Sequence, residues 1–269
     1  MNNKKIDETN AVLYAVDDQG IARITLNRPD KSNAFDDQTI ASLTQRLREA
    51  DADAQVRMVV LAANGKNFSA GADLGWMKRT AQMSEAENIA DARQLANLML
   101  TLDRLSKPTL ARVQGAAFGG ALGLICACDL AIASDTARFC LSEARLGLAP
   151  AVISPYVVRA MGSRAARRYF LTTEVMSAQV AQRLGIVHEV VSEAELDEQL
   201  DELCGHLQRS GPEALRACKQ LIADVEAELP SAHLQDETVN LIARLRTSDE
   251  GQEGLAAFLE KRAPRWYEE

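Results

Sequence analysis

The chain has 269 residues, of which 47% are hydrophobic and 25% charged, and its formal net charge is −8. This composition is typical of a soluble globular protein, and the acidic balance argues against a nucleic-acid or anionic-membrane partner. No apolar run has the length of a signal-peptide core or of a membrane span. The five cysteines lack paired metal-ligand spacing, so we predict a cytoplasmic protein with buried, reduced thiols and no metal site.

The first half of the chain alternates predicted strands with predicted helices. Strands are expected at 12–16, 21–26, 58–61, 109–113, 130–133 and 138–141. Helices are expected at 37–50, about 84–105 and 120–128. This alternation predicts a parallel sheet with crossover helices, whose ligands bind beyond the carboxyl ends of strands.

The second half is predicted to be mainly helical. Helices are expected at 156–161, 165–171, 178–184, 193–207, 212–228, 234–245 and 251–261, with one strand at 186–191. We therefore divide the chain into a flexible tail (1–10), an α/β core (11–195) and a C-terminal helical region (196–269).

Residues 114–143 contain a predicted strand end, a glycine turn and an apolar helix, and they finish at a carboxylate, Glu143. Such a turn presents free backbone N–H groups at the start of the helix. No Lys-Ser/Thr pair follows the glycines, which excludes a nucleotide-triphosphate loop, and no acid stands about twenty residues on in a dinucleotide-fold context. Two interpretations remain open, an oxyanion site and simple close packing of helix on sheet. A second small-residue segment, 68–74, follows a strand in the same way.

The chain resembles the crotonase (enoyl-CoA hydratase/isomerase) superfamily at five places, in the right order, and the resemblance covers about residues 12–266. The motifs are Phe68-Ser69-Ala70-Gly71-Ala72-Asp73-Leu74, Gly115-Ala116-Ala117-Phe118-Gly119-Gly120, Ser142-Glu143-Ala144-Arg145-Leu146-Gly147-Leu148, Leu26-Asn27-Arg28-Pro29 with Asn33-Ala34-Phe35, and the closing stretch 254–262. Any one of them alone would be a weak signal.

The resemblance implies a spiral core of ββα turns, a C-terminal region that builds homotrimers or hexamers, and an acyl-CoA thioester substrate. The thioester oxygen would accept hydrogen bonds from the backbone N–H groups of Ala72 and Gly120, with Glu143 as the acid/base. No cofactor is implied beyond the CoA moiety of the substrate. The implied CoA-binding residues are Arg28, Lys31, Ala34, Ala70, Asp73, Leu74, Phe258 and Lys261.

The sequence departs from the two-carboxylate hydratases of this superfamily at one position. Gly123 stands where they carry a second glutamate, three residues after Gly120. A single carboxylate suits isomerase chemistry, since it can move a proton between two carbons. Ala149-Pro150 also resembles the Δ3,Δ2-enoyl-CoA isomerases, so isomerisation is the alternative function.

A closer resemblance favours hydration. The strings G-A-A-F-G-G-A-L-G-L and G-L-A-P-A-V-I-S-P look like those of bacterial 3-methylglutaconyl-CoA and isohexenylglutaconyl-CoA hydratases. We therefore expect a hydratase acting on a branched, carboxylated 2-enoyl-CoA, with decarboxylation and a non-catalytic acyl-CoA-binding scaffold as further alternatives. Ser142, Arg145 and Ser154 are candidates to bind the substrate carboxylate, although each also suits a structural role.

Other polar and aromatic residues have ordinary structural explanations. Asp73 is expected to cap a helix, and Asp129 to hold the backbone at a helix–strand junction. Trp76 and Met77 could line the acyl pocket or simply belong to the core. The three histidines, His188, His206 and His233, are expected at the surface or at an interface.

Overall fold

The computed structural model describes residues 10–267, so the predicted tail at 1–10 lies almost entirely outside the described residues. The strands are β1 (Val12–Val16), β2 (Ile21–Leu26), β3 (Met58–Ala63), β4 (Thr109–Val113), β5 (Ala116–Phe118), β6 (Leu130–Ser134), β7 (Arg138–Cys140), β8 (Met176–Ser177) and β9 (Glu189–Val191). The helices are α1 (Asp37–Ala52), α2 (Leu74–Thr80), α3 (Glu85–Asp103), α4 (Gly120–Ala127), α5 (Ser154–Thr172), α6 (Ala178–Arg183), α7 (Leu196–Gln208), α8 (Pro212–Ala227), α9 (Ala232–Thr247) and α10 (Asp249–Glu260).

The main sheet has the strand order β1-β2-β3-β4-β6-β9. The β1–β2 pair is an antiparallel hairpin, and every later pairing in this sheet is parallel. The predicted α/β fold with a largely parallel sheet is therefore confirmed. A second sheet, in the order β5-β7-β8, was not predicted. Its strand β7 was expected at 138–141, but β5 and β8 have only three and two residues and leave no periodic signal.

Burial explains why the crossover helices form where they do. Helix α1 begins at the cap Asp36, whose side chain accepts from the Thr39 backbone N–H, and it buries Ile40, Leu43 and Leu47. Helix α3 begins with a reciprocal capping box between Ser84 and Glu87. Helix α4 is buried from Ala121 to Ala127, which accounts for a sequence that is apolar on all sides.

Helix α5 consists of two helical segments separated at Gly162, as predicted. Gly162 has a φ of 73° and a ψ of 155°, so the backbone is not helical there and the chain kinks. The predicted strand at 186–191 shortens to β9, because the Ile186 N–H bonds back to the Ala181 carbonyl at the end of α6. His188 marks the entry to β9: its Nδ1 accepts from the Ala131 N–H at 3.1 Å.

The described chain forms two compact units, one of residues 10–105 and 109–200 and the other of residues 106–108 and 201–267. Helices α8, α9 and α10 belong to the second unit, where the Glu250 carboxylate accepts from the backbone N–H groups of Glu213 and Ala214 at the start of α8. None of the helices within residues 10–267 is long and apolar enough to cross a membrane.

Asp129 has the structural role that was predicted for it. Asp129 accepts from the backbone N–H and the hydroxyl of Thr109, which confirms its role at the α4–β6 junction.

Four cysteines are buried and unbonded to one another, and burial raises the pKa of the Cys126 thiol to about 12. Cys218 is exposed, so the prediction that the thiols are buried was wrong for this residue: it lies on a surface of α8.

Candidate active site

The two small-residue segments of the sequence lie side by side in the first unit. The Ser69 N–H donates to the Ala116 carbonyl, and the Phe118 N–H donates back to the Ser69 carbonyl. Both segments turn at glycines with positive φ, 93° at Gly71 and 55° at Gly119. A methyl group on Gly71 would lie only 3.0 Å from the Phe118 carbonyl oxygen. The close approach of the two segments therefore requires glycine at this position.

Each segment contains a backbone N–H group, at Ala72 in one and at Gly120 in the other, for which residues 10–267 supply no acceptor. Phe35 bonds to the residues on either side of Ala72, donating to the Gly71 carbonyl and accepting from the Asp73 N–H, both at 2.8 Å. Gly120 is the first residue of α4 and has no preceding helical turn. Within residues 10–267 neither the Ala72 nor the Gly120 N–H donates to any acceptor. Both N–H groups are thus unused by described residues, and the one at Gly120 stands at the start of α4, where the helix dipole favours negative charge.

Glu143 lies beside the second of these segments. It opens a short 3-10 turn, Glu143–Leu146, directly after β7. A methyl group on Gly119 would be 3.3 Å from its Oε1. Its Oε2 is buried and accepts no hydrogen bond from any described residue. Burial raises the pKa of Glu143, opposed only by a hydrogen bond from its own backbone N–H. A half-buried carboxylate with a buried, unused oxygen and a raised pKa is suited to accept and return a proton.

The position of the second family carboxylate is occupied by apolar side chains. A methyl group on Gly123 would lie 2.3 Å from Cγ2 of Ile153 and 3.0 Å from Cε of Met99. Both of these side chains are almost fully buried. The absence of a glutamate at 123 is therefore matched by packing, since its neighbours fill the space.

The loop that was expected to hold CoA is organised by Arg28. Its Nη1 donates to the Ala34 carbonyl and to Asp36 Oδ2, and its Nη2 donates to Asp73 Oδ2 at 3.0 Å. The guanidinium charge is thus used within the chain, between two carboxylates. Lys31 is more open: its Nζ lies 3.9 Å from Asp73 Oδ2, and its side chain is over half exposed.

Asp73 caps α2, as predicted, by accepting from the backbone N–H groups of Gly75 and Trp76. Burial alone would raise the pKa of Asp73, but these hydrogen bonds and the charge of Arg28 lower it below its usual range. The neighbouring Leu74 is 75% exposed, and Ala70 is exposed with its N–H bonded to the Ser32 carbonyl. Ala70 and Leu74 therefore present side chains that a ligand could contact.

Asn33 belongs to one of the quoted motifs, but the sequence did not reveal its structural role. Its buried side chain accepts from the Arg28 N–H and donates to the carbonyls of Asn64 and Asn67. It also has a positive φ of 53°, a conformation that asparagine tolerates better than most residues. Asn33 thereby ties the Arg28 loop to the segment that leads to Ala70–Ala72.

Two of the three candidates for binding a substrate carboxylate, Arg145 and Ser154, make local hydrogen bonds. Arg145 donates from Nε to the Thr173 hydroxyl and from Nη2 to the Thr173 carbonyl. The Ser154 hydroxyl donates to the Ala151 carbonyl at 2.8 Å. Ser142 precedes the Glu143 turn without a side-chain capping bond. Trp76 is buried and its indole N–H donates to Asp91, which favours a core role.

The last two predicted CoA contacts lie in the second unit. Phe258 is 80% exposed on α10, and Lys261 follows that helix with a left-handed φ of 56°. An arginine pair beside them, Arg262 and Arg265, binds Glu253 and holds the pKa of that carboxyl at about 2. Arg262 thereby anchors the chain where it leaves α10.

Residues 17–269 match the family described as enoyl-CoA hydratase/isomerase. The chain belongs to this family. An enoyl-CoA hydratase structure from Shewanella pealeana superposes with a TM-score of 0.92 at 49% identity, covering 96% of each chain. The 2,3-dehydroadipyl-CoA hydratase of Escherichia coli is 33% identical, over 91% of this chain and 94% of its own. The trans-2-decenoyl-(acyl-carrier-protein) isomerase of Streptococcus mutans is 31% identical, over 95% of this chain and 97% of its own. The protein is thus an enzyme of the hydratase/isomerase type with the crotonase fold.

Proposed function

We propose that this family member hydrates a branched, carboxylated 2-enoyl-CoA of the 3-methylglutaconyl or isohexenylglutaconyl type. The observation that carries the proposal is the unpartnered, buried Oε2 of Glu143, next to the turn that presents the free Gly120 N–H. An acid/base and an oxyanion donor are the two elements that addition of water to an enoyl thioester requires.

The proposed reaction uses one carboxylate twice. Glu143 accepts a proton from water as the water oxygen bonds to C3, and the electrons of the C2–C3 double bond move onto the thioester oxygen. The N–H groups of Ala72 and Gly120 stabilise that enolate oxygen, and loss of one such donor costs about 2.7–4 kcal/mol of transition-state free energy. Protonated Glu143 then returns the proton to C2, so one water is added and no redox change occurs.

The proposal of a carboxylated acyl chain is supported by the substrate named for one relative. The Escherichia coli relative is named for 2,3-dehydroadipyl-CoA, whose acyl group also carries a free terminal carboxylate. The branched chain is supported by the closer sequence resemblance around residues 115–124 and 147–155. The proposed CoA contacts in the first unit are Arg28, Lys31, Ala34, Ala70, Asp73 and Leu74. Phe258 and Lys261 are proposed to reach the nucleotide of a CoA bound by a neighbouring subunit.

Isomerisation is the second candidate, since it needs a single carboxylate. Glu143 alone could remove a proton from C2 of a 3-enoyl-CoA and return it to C4, and Ile153 leaves no room for a second acid at 123. The isomerase relative from Streptococcus mutans indicates that both chemistries occur among relatives of comparable identity.

Assembly into a homotrimer or hexamer is part of the proposal. The second unit carries apolar side chains that are strongly exposed in the single chain, including Ile222, Val225, Leu229, Val239, Ile242 and Leu259. Such surfaces commonly pack against further subunits. Light scattering coupled to size-exclusion chromatography should give a mass three or six times that of the chain, and a monomer would contradict this part.

The decisive experiment is product analysis in ¹⁸O-labelled water. Wild type, Glu143→Gln and the surface control Glu85→Gln are assayed with 3-methylglutaconyl-CoA, isohexenylglutaconyl-CoA, crotonyl-CoA and a 3-enoyl-CoA. We expect label in the product of a carboxylated substrate, a loss of about 10³-fold or more in Glu143→Gln, and full activity in the control. Double-bond migration without label would replace hydration by isomerisation. Full activity in Glu143→Gln would overturn both.

A further inference from the structure

Thr173 has an unexpected backbone conformation for its residue type. It is 4% exposed and ends α5 with a left-handed φ of 54°. Glycine or asparagine usually takes this position, because a β-branched side chain is disfavoured there. A threonine at such a site therefore points to a use for its hydroxyl group.

The side chain and carbonyl of Thr173 meet two separate segments. The hydroxyl accepts from Arg145 Nε at 2.6 Å and donates to the Thr172 carbonyl. The carbonyl accepts from Arg145 Nη2 at 3.0 Å and from the Cys140 thiol at 3.3 Å. The hydroxyl and the carbonyl of Thr173 make these four hydrogen bonds at the same time.

Both segments lead directly to the candidate active site. Arg145 lies two residues after Glu143 in the same 3-10 turn. Cys140 closes β7, and its carbonyl accepts from the Gly119 N–H at 2.9 Å. Gly119 is the residue before the free Gly120 donor, and its α-carbon faces Glu143 Oε1. Thr173 is thus bonded both to the turn that carries Glu143 and to the strand end that holds the Gly119–Gly120 turn.

We propose that Thr173 is a positioning residue that fixes the carboxylate of Glu143 relative to the backbone donor of Gly120. Its hydroxyl holds the 143–146 turn through Arg145 Nε. Its main-chain carbonyl, which any residue at 173 would supply, accepts from Cys140 at the end of β7. The inference rests on the proposed roles of Glu143 and Gly120, and it adds a residue outside those that would touch the substrate.

The same contacts assign Arg145 a role other than binding the substrate carboxylate. Its Nε and Nη2 face Thr173, and burial, not a nearby cation, dominates the pKa of Glu143. Removal of the two hydrogen bonds from Arg145 to Thr173 should therefore lower kcat for every substrate, with or without a carboxylate. A carboxylate-binding arginine would instead raise KM for the carboxylated substrate only.

The test compares Thr173→Gly, Thr173→Ser, Arg145→Lys and the neighbouring control Thr172→Ala on whichever reaction the wild type catalyses. Glycine suits the left-handed backbone but lacks the hydroxyl, so Thr173→Gly should keep or raise the Tm while kcat falls about tenfold and KM stays within about twofold. Thr173→Ser restores the hydroxyl and should recover most of kcat. Arg145→Lys should resemble Thr173→Gly on both crotonyl-CoA and the carboxylated substrate.

The possible outcomes separate this inference from the proposed function. Full kcat in Thr173→Gly, alongside an inactive Glu143→Gln, overturns the positioning role alone. A KM increase confined to the carboxylated substrate in Arg145→Lys also overturns it. Full activity in Glu143→Gln overturns the proposed function, and with it the purpose assigned to Thr173.

Discussion

Cγ2 of Ile153 lies 2.3 Å from the place where a β-carbon on Gly123 would stand. Ile153 comes just before α5 and is 2% exposed, so it has little room to move away. A glutamate at 123 would meet both this steric conflict and an apolar environment that opposes its charge. The site therefore has one carboxylate for two reasons: residue 123 is a glycine, and the start of α5 packs closely against α4 at this position.

The first prediction concerns the coupling between these two residues. Gly123→Ala should destabilise the fold by about 1–3 kcal/mol through overpacking, although alanine is otherwise favoured in a helix. Ile153→Ala should cost about 2–5 kcal/mol by leaving a cavity. The double variant should be less destabilised than the sum, because the new methyl group partly fills the space left by Ile153. Urea unfolding of all four proteins measures the coupling, and additivity within about 0.5 kcal/mol would contradict the packing described.

The second prediction concerns the acid limb of the pH–activity profile. Burial raises the pKa of Glu143, and hydration begins with its carboxylate in the ionised form. Activity should therefore be lost on acidification at a pH above the ordinary glutamate value of about 4.3. The measurement is kcat/KM against pH with a carboxylate-free substrate, so that substrate titration does not interfere. A midpoint at or below the ordinary value would mean that Glu143 does not act as the base in its buried form.

The third prediction is that Glu143 lowers the stability of the folded protein. When folding raises the pKa of a carboxyl, that group destabilises the native state at pH values above its raised, folded-state pKa. The effect disappears at pH values below the pKa that the same group has in the unfolded protein. Glu143→Gln removes the buried charge, whose Oε2 has no described partner, and should stabilise the protein by on the order of 1 kcal/mol at neutral pH. Thermal unfolding at pH 7 and near pH 4 should show the gain only at the higher pH. An equal gain at both pH values would be inconsistent with a charge effect.

The fourth prediction separates backbone strain from crowding at Gly119. Gly119→Ala forces a side chain into a positive φ and places its methyl group 3.3 Å from Glu143 Oε1. Gly162→Ala is a matched control, because Gly162 has a similar φ of 73° and no atom within 4 Å of the new methyl group. Both should lose about 1–3 kcal/mol of stability. Only Gly119→Ala should also lose kcat, by about 10²-fold, as judged by steady-state assays; an equal loss in Gly162→Ala would assign the effect to strain alone.

Periodic elements of this fold were predictable, and the links between them were not. The spacing of Ile40, Leu43 and Leu47 predicts α1, and Ser84 with Glu87 predicts where α3 begins, because caps and apolar periodicity are local signals. The parallel pairing of Ser69 with Ala117 joins segments almost fifty residues apart, and no local pattern encodes it. Thr173 was likewise invisible in the sequence, since its partners come from β7 and from the Glu143 turn.

The candidate site was partly readable because its motifs carry backbone requirements. Gly71 and Gly119 are needed for positive φ, so a glycine pattern could point to both turns. The contact of Arg28 with CoA stays a prediction, whereas its bonds to Asp36 and Asp73 were not predicted, because they depend on how a loop closes in three dimensions. Likewise, the sequence showed that a glutamate is missing at position 123, but it did not show that Ile153 fills the space.

The unbonded N–H groups of Ala72 and Gly120 belong to the main chain, and this has a consequence for how the protein can change over time. Every amino acid except proline supplies the same N–H group, so replacement of a side chain does not by itself delete the donor. What can be lost is the path of the chain, which depends on the glycine turns and on the pairing of residues 69–72 with 116–120. A lineage is thus free to alter the pocket around these donors, and so to adopt new acyl chains, while the donors proposed to meet the thioester oxygen stay the same.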